Sequence, residues 1–193
     1  MKIVVFDFDN TLTKERGTPR FKWLVKKSAI FTLPVWWIFE KLTHKPVFHR
    51  KMIQALKGVQ LGKLLDTSEK LKERSSVLHL MKIFNQKGYR IIVLSYNFKP
   101  VIENYLLKRG IEPEIYAPSL NIMNGEIIGF SDDWITQAYL NEPRHAKRII
   151  LKKLNIVPNI AVGDNKKRDN LGAYYVPSNR AGSILRGMGG QML

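Results

Sequence analysis

Apolar positions along this chain fall into two patterns that alternate with each other. Short apolar runs rich in β-branched residues occur at Ile3 to Phe6, Tyr89 to Leu94, Glu114 to Ala117, Ile160 to Val162 and Ala173 to Val176. Such runs predict strands buried on both faces, as in a parallel sheet covered by helices. Helical spacing lies between them. Val77, Leu80, Met81 and Phe84 recur at 3.6-residue intervals and predict a helix over Val77 to Gln86, closed by Gly88. Lys99 to Lys108 carries Val101, Tyr105 and Leu106 inward and stops at Gly110, and Arg144 to Leu154 reads as a further helix. Strand and helix in alternation form the right-handed crossover pattern. Leu120 to Phe130 is expected to form a hairpin, because Asn124-Gly125 suits a tight two-residue turn.

Residues 14–75 break the pattern. They contain no period-2 stretch, and four helices are expected: Pro19 to Lys27, a segment opened by Pro34, Lys45 to Leu56, and Leu61 to Lys72. The second holds Val35, Trp36, Ile38, Phe39 and Leu42, and Trp36 and Trp37 point about 100° apart on a helix, one toward the core and one outward. This purely helical insert reads as a small cap domain over residues 14–75, inserted after the first strand. The α/β core then comprises residues 1–13 and 76–193. Gly17 and Arg74-Ser75-Ser76 are the expected hinges, and the glycine-rich tail from Gly182 to Leu193 is expected to be only partly ordered.

Composition narrows the function classes. With 193 residues and 45% apolar content the chain builds a real core, which excludes disorder. It has no cysteine, so disulfides and thiolate metal sites are excluded, and a reducing, cytoplasmic location is expected. The first strand begins within three residues of the start, which argues against a cleavable signal peptide. The longest apolar candidate, Ala29 to Phe39, includes Pro34 and falls short of the ~20 residues needed to span a bilayer. Net charge is +16, and residues 14–76 hold fifteen Lys or Arg against five acids, together with seven Phe or Trp. That balance favours anionic partners: phosphorylated metabolites, an acidic membrane surface touched peripherally or, less readily without an accompanying nucleic-acid module, nucleic acid. His44, His49, His79 and His145 are too dispersed to suggest a zinc site.

The sharpest chemical signal is Lys2 to Leu12, KIVVFDFDNTL. The buried strand ends at Asp7, alternation directs Asp7 and Asp9 to the same side, and Asn10 begins a turn. Two carboxylates crowded at the carboxyl end of a buried strand repel each other and stay ionised only beside a cation. That edge is where open α/β sheets place their ligands.

The string resembles the Asp-x-Asp-x-Thr signature of the haloacid dehalogenase (HAD) superfamily, most of whose members are phosphatases. Further segments match the family's later motifs in order: Ser95 closing Ile92-Val-Leu-Ser95, Lys147 near a helix start, and Gly163-Asp164 with Asp169 following. The resemblance implies a HAD-like Rossmannoid three-layer sandwich, its parallel sheet ordered 5-4-1-2-3 with strands numbered along the chain. It further implies that Asp7 is the nucleophile and Asp9 the acid/base, that Thr11, Ser95 and Lys147 bind phosphate, that Mg²⁺ is held by Asp7, the Asp9 carbonyl and Asp164, and that Asp169 orients a metal-bound water or Lys147 from behind. The chemistry suits those types, because a phosphate dianion repels an attacking carboxylate unless cations flank it.

The helical insert and the hairpin resemble the phosphoserine-phosphatase-like branch of that superfamily. Pro34 to Phe39 followed by Lys51 to Gly58 is more similar to a loosely defined bacterial group that includes phosphatidylglycerophosphate phosphatases. Where phosphoserine phosphatases carry two glycines after the motif serine, this chain has Tyr96 and Asn97, and Glu15 and Arg50 stand near the positions of the branch's substrate-gripping Glu and Arg. These four are the expected specificity residues. The implied function is Mg²⁺-dependent hydrolysis of a small phosphate monoester through an aspartyl-phosphate. The alternatives are a phosphatase acting on a lipid phosphate such as phosphatidylglycerophosphate at an anionic membrane, and a non-catalytic phosphate-binding protein that keeps the fold. Transfer of the phosphoryl group to an alcohol is a variant that the same residues would support.

Overall fold

The computed structural model describes residues 1–14, 24, 35, 38, 42 and 47–189. Among them the strands β1 (Ile3–Phe6), β2 (Arg90–Leu94), β3 (Glu114–Tyr116), β6 (Ile160–Gly163) and β7 (Tyr174–Pro177) form a five-stranded sheet. Its order is β3-β2-β1-β6-β7 with every pairing parallel, which is the expected 5-4-1-2-3 read from the other edge. The hairpin β4 (Leu120–Met123) and β5 (Glu126–Phe130) stands apart from this sheet. Its turn is Asn124-Gly125 with φ of 52° and 78°, the doubly left-handed geometry in which this dipeptide is favoured.

The pleat of β1 explains the layering. Val4 and Phe6 join Ile91, Val93 and Val162 in a core on one face, where α3 (Ser75–Gln86), α4 (Lys99–Leu107) and α8 (Ala181–Gly189) contribute Leu80, Met81, Ile102, Tyr105 and Ala181. Val5, Ile92 and Leu94 point to the other face, where α5 (Trp134–Asn141) and α6 (Ala146–Lys153) contribute Tyr139, Ile150 and Leu151. Successive residues thus bury against opposite layers, giving a sheet between two layers of helix. Central β1 brings Asp7 to the middle of the carboxyl edge.

A third cluster ties the helical segment after β1 to the rest. Met52, Ile53, Leu56 and Leu64, from α1 (Val47–Leu56) and α2 (Leu61–Glu69), pack with Phe98 and Val101 at α4 and Ile127 in β5. Backbone bonds reinforce this: the Gly58 N–H donates to Ile127 O at 2.8 Å, the Ile127 N–H to Val59 O at 2.9 Å, and the Leu61 N–H to Gly125 O at 2.8 Å.

Several expectations need correction. The insert is not purely helical at its edge. The Arg74 N–H donates to Leu12 O and the Lys14 N–H to Lys72 O, both at 2.8 Å, and Thr13 bridges Glu73, so the entering and leaving strands run antiparallel. That pairing ends α2 at Glu69, three residues before the expected Lys72, because the backbone of Lys72 and Arg74 is committed to the bridge. The glycine-rich tail is helical from Ala181 to Gly189, since Ala181, Ile184 and Leu185 pack on the first core and offset the helix cost of its glycines. Two helices had no sequence expectation, α5 and the single turn α7 (Lys166–Asp169); Asp133 caps α5 by accepting from the Thr136 N–H at 2.9 Å. Val35, Ile38 and Leu42 are helical and exposed. Of the expected Pro19–Lys27 helix only Leu24 is described, in a turn; its other residues, with Gly17, Trp36, Trp37 and Phe39, lie outside the described residues. Among the described residues no helix is long and apolar enough to cross a membrane.

Leu64 is fully buried between α1, α4 and β5. Leu64→Ala is expected to lower unfolding free energy by roughly 2–5 kcal/mol, read as a reduced urea midpoint at unchanged slope.

Candidate active site

The turn after β1 is built around one carbonyl. The N–H groups of Thr11, Leu12 and Thr13 converge on Phe8 O at 3.2, 2.9 and 3.2 Å, with Asn10 in the left-handed region at φ 58°. Asparagine tolerates that conformation better than most residues. The fold-back brings the buried Thr11 hydroxyl to donate to Asp7 Oδ2 at 3.1 Å, so Thr11 braces the Asp7 carboxylate. The Asp7 N–H itself continues the ladder onto Val162 O at 2.9 Å.

Lys147 enters from the first turn of α6 and is almost fully buried. Its Nζ donates to Asp7 Oδ1 at 2.6 Å and to Asp169 Oδ1 at 2.7 Å. Asp169, 3% exposed at the end of α7, also accepts from the Asn165 N–H at 3.0 Å. Room for it depends on Gly163: a Cβ there would stand 2.3 Å from that of Asp169. Asp164 is exposed, and its Oδ2 accepts from Asn10 Nδ2 at 3.2 Å. Carboxylate oxygens of Asp7, Asp164 and Asp169 all lie within 4.8 Å of one another.

Electrostatics follow from burial. At Asp7 burial outweighs the nearby Lys147 charge, and with Asp169 adding repulsion the carboxyl is pushed up to about 6. At Lys147 burial works against the charge, but Asp7 and Asp169 together outweigh it and hold the ammonium at about 12. Lys147 is therefore cationic at neutral pH, while Asp7 ionises less readily than an ordinary carboxylate. Three converging carboxylates against one cation leave a net negative cluster made only of oxygen donors. That donor set fits Mg²⁺, whose charge would favour ionised Asp7.

The end of β2 supplies the opposite wall. Buried Ser95 accepts the Asn97 N–H at its Oγ, 3.0 Å away. Asn97 uses its Oδ1 to accept the Phe98 N–H at 2.8 Å, while its Nδ2 donates to Asp9 Oδ1 at 3.2 Å. Tyr96 packs edge-on against Tyr139 with ring centroids 4.9 Å apart, and burial pushes its hydroxyl up to about 12. Arg50 is exposed, and its Nη2 donates to Asn141 Oδ1 at 3.2 Å. Glu15 lies outside the described residues.

Three contributors escaped the sequence reading. Asn10 was seen only as a turn residue, yet its side chain reaches Asp164. Asn165 caps α7 and holds Asp169, a role hinted at by an Asn four residues before an acid. The Tyr175 hydroxyl donates to Gly163 O at 2.9 Å, and nothing in the local sequence of β7 signals that contact.

The chain is similar in structure to a HAD family hydrolase from Salmonella enterica, with TM-score 0.65 and 16% identity over 86% of this chain and 57% of that one. It is similar to a phosphoserine phosphatase from T. onnurineus, with TM-score 0.62 and 17% identity over 91% and 82%. A phosphoserine phosphohydrolase-like protein from Francisella tularensis gives 0.64 and 16% over 96% and 99%. The chain thus spans little more than half the length of the Salmonella protein and nearly all of the Francisella one. No family model and no curated protein sequence matches the chain. At these identities the likeness establishes the fold, and the chain adopts the HAD fold.

Lys147→Met would leave Asp7 and Asp169 facing each other, buried and uncompensated. The expected loss is roughly 3–5 kcal/mol at neutral pH in denaturant titrations without divalent metal. With the lowering influence of Lys147 removed, the Asp7 carboxyl rises above about 6, against 3.8 for the unperturbed group. Below about 6 the folded wild type and the folded variant both hold the Asp7 proton, so they lose stability in parallel as pH rises; the variant's deficit relative to wild type should grow only as pH rises above about 6.

Proposed function

We propose that this protein hydrolyses a small phosphate monoester through a covalent phosphoryl-aspartate on Asp7, with Mg²⁺ as cofactor. One observation carries the reading: Asp7, Asp164 and Asp169 converge at the carboxyl edge of the sheet around the buried Lys147 ammonium. A nucleophile held between a cation and an all-oxygen donor set is what attack on a dianionic phosphate requires. Solved structures that share the fold include phosphoserine phosphatases and a cytosolic 5′-nucleotidase, which supports the reaction class.

Asp7, the Asp9 carbonyl and Asp164 would hold the ion. When bound, Mg²⁺ supplies positive charge beside the phosphoryl group and favours ionised Asp7. The remaining work falls to this chain's side chains. Lys147 and Thr11 hold the Asp7 carboxylate from two sides, one on each oxygen, and so fix its orientation for attack on phosphorus. As the Asp7 oxygen–phosphorus bond forms, the bond to the leaving oxygen breaks, and Asp9 delivers its proton there. The Asn97 amide donates to Asp9 Oδ1, which directs that proton to the other carboxyl oxygen. Ser95 already accepts from the Asn97 N–H, so its own hydrogen points to a phosphoryl oxygen. In the second half, Asp9 as carboxylate takes a proton from water, whose oxygen attacks phosphorus and returns Asp7 and free phosphate. An alcohol in place of that water would give phosphoryl transfer by the same residues.

The test is turnover of an aryl phosphate. Asp7→Asn should abolish it, and Asp9→Asn should lower kcat by roughly 10²–10⁴-fold. Chelation with EDTA should also abolish activity, Mg²⁺ should restore it, and millimolar Mg²⁺ should raise Tm in the wild type but not in Asp164→Asn. Full activity of Asp7→Asn would sink the mechanism. Binding of inorganic phosphate without turnover of any monoester would leave a phosphate-binding protein instead.

A further inference from the structure

A second polar cleft opens beside the carboxylate cluster, on the β6–β7 side of the sheet edge. Its volume is about 910 Å³, and Gly163 and Asp164 form its shared wall with the site described above. Among the described residues three cations line it: Arg74 from the segment returning to α3, Lys166 from α7, and Arg180 after β7. Among those residues Asp164 is the one carboxylate in its lining, and that side chain already faces the Asp7 cluster. Among the described residues neither Lys166 nor Arg180 makes an ion pair.

Arg74 supplies the observation that points to a ligand. Its Nη2 donates to Asn10 O at 3.2 Å, a carbonyl that also accepts from Ser178 Oγ at 3.2 Å. Its Nε is buried and has no hydrogen-bond partner. An unsatisfied donor on a cation costs on the order of 1–3 kcal/mol, and because the Arg74 side chain lines the cleft, an anion settling against its guanidinium would offset part of that cost. The guanidinium fork suits two oxygens of one tetrahedral anion, and a lysine and a second arginine nearby add charge. Asn10 links the two sites physically, since its carbonyl holds Arg74 while its amide holds Asp164.

We propose that this cleft is a second oxyanion subsite. It takes a phosphate or sulfate group next to the phosphoryl-transfer centre, borne either on the leaving group of the substrate or as a free ion. The proposal rests on the phosphatase reading only for the identity of the neighbouring reaction. In its substrate-borne form it favours bisphosphates and other doubly anionic monoesters over neutral leaving groups.

The experiment uses the full chain with Asp7→Asn to prevent turnover, in Mg²⁺ buffer, and measures Kd by calorimetry. The probes are adenosine 3′,5′-bisphosphate, adenosine 5′-monophosphate and sodium sulfate, each titrated with and without the added pair Lys166→Gln and Arg180→Gln. Both substituted residues are exposed, so the fold should survive. A bisphosphate at least tenfold tighter than the monophosphate, with that advantage lost in the substituted protein, would support the subsite as part of substrate recognition. Sulfate binding that depends on the pair, without a bisphosphate advantage, would support a free-anion site. Affinities for all three probes that ignore the pair would overturn the proposal. If the wild type turns over no phosphate ester yet the bisphosphate advantage persists, the phosphatase reading fails and this one stands. Turnover of monophosphates without any advantage gives the converse.

Discussion

The buried Lys147 ammonium is the constraint around which the carboxyl edge of this protein is arranged. Taking an ammonium out of water costs several kcal/mol unless partners replace its hydration, and Asp7 and Asp169 do so at 2.6 and 2.7 Å. Each partner imposes its own demand. Asp7 must stand at the end of the central strand, which requires β1 to pair on both sides, with β2 and β6. Asp169 must come within reach from the turn after β6, which requires a residue without a side chain at Gly163. A parallel sheet with helices on both faces satisfies these demands together, because its strands all end at one edge.

Hydrogen bonding around the triad is distributed so that each carboxylate has a fixed neighbour of its own. Thr11 holds Asp7, Asn165 holds Asp169, Asn10 holds Asp164 and Asn97 holds Asp9. Asn10 and Asn97 donate from their side-chain amides and Asn165 from its backbone N–H, none of them charged. They orient the acids without neutralising them, and the cluster keeps its excess negative charge. Asn10 contributes through its backbone as well: the left-handed turn that presents its amide to Asp164 exposes its carbonyl to Arg74 and Ser178.

The segment following β1 is joined to the core by apolar contact and by the backbone. Its last helices bury Met52, Ile53, Leu56 and Leu64 against α4 and the hairpin, while Leu12 to Lys14 and Lys72 to Arg74 pair as they enter and leave. That second contact lies a few residues from Asp9, so the path into the insert begins beside the carboxylate cluster. Tyr96, just after β2, packs its ring edge-on against Tyr139, whose hydroxyl donates to Tyr116 O at 3.0 Å.

The sequence by itself determined the strands and the placement of Asp7 at a sheet edge. Continuous apolar runs that end in a polar residue have one low-energy solution, which is burial on both faces with the polar end exposed at the edge. The hairpin was legible for the same local reason, since Asn124-Gly125 meets a dihedral requirement most residues cannot. Thr11 beside Asp7 and Asn165 beside Asp169 are local pairs, but tertiary structure alone decided the distant partners. Lys147 and Asp169 are 22 residues apart, Asn97 and Asp9 are 88, and Asn10 and Asp164 are 154, so no local pattern records those bonds. The same holds for the helix over Ala181 to Gly189. Its glycines weaken any intrinsic preference, and it exists because Ala181, Ile184 and Leu185 find an apolar surface already formed by distant strands and helices. Propensity is a property of neighbours in sequence, whereas burial and charge compensation are properties of neighbours in space.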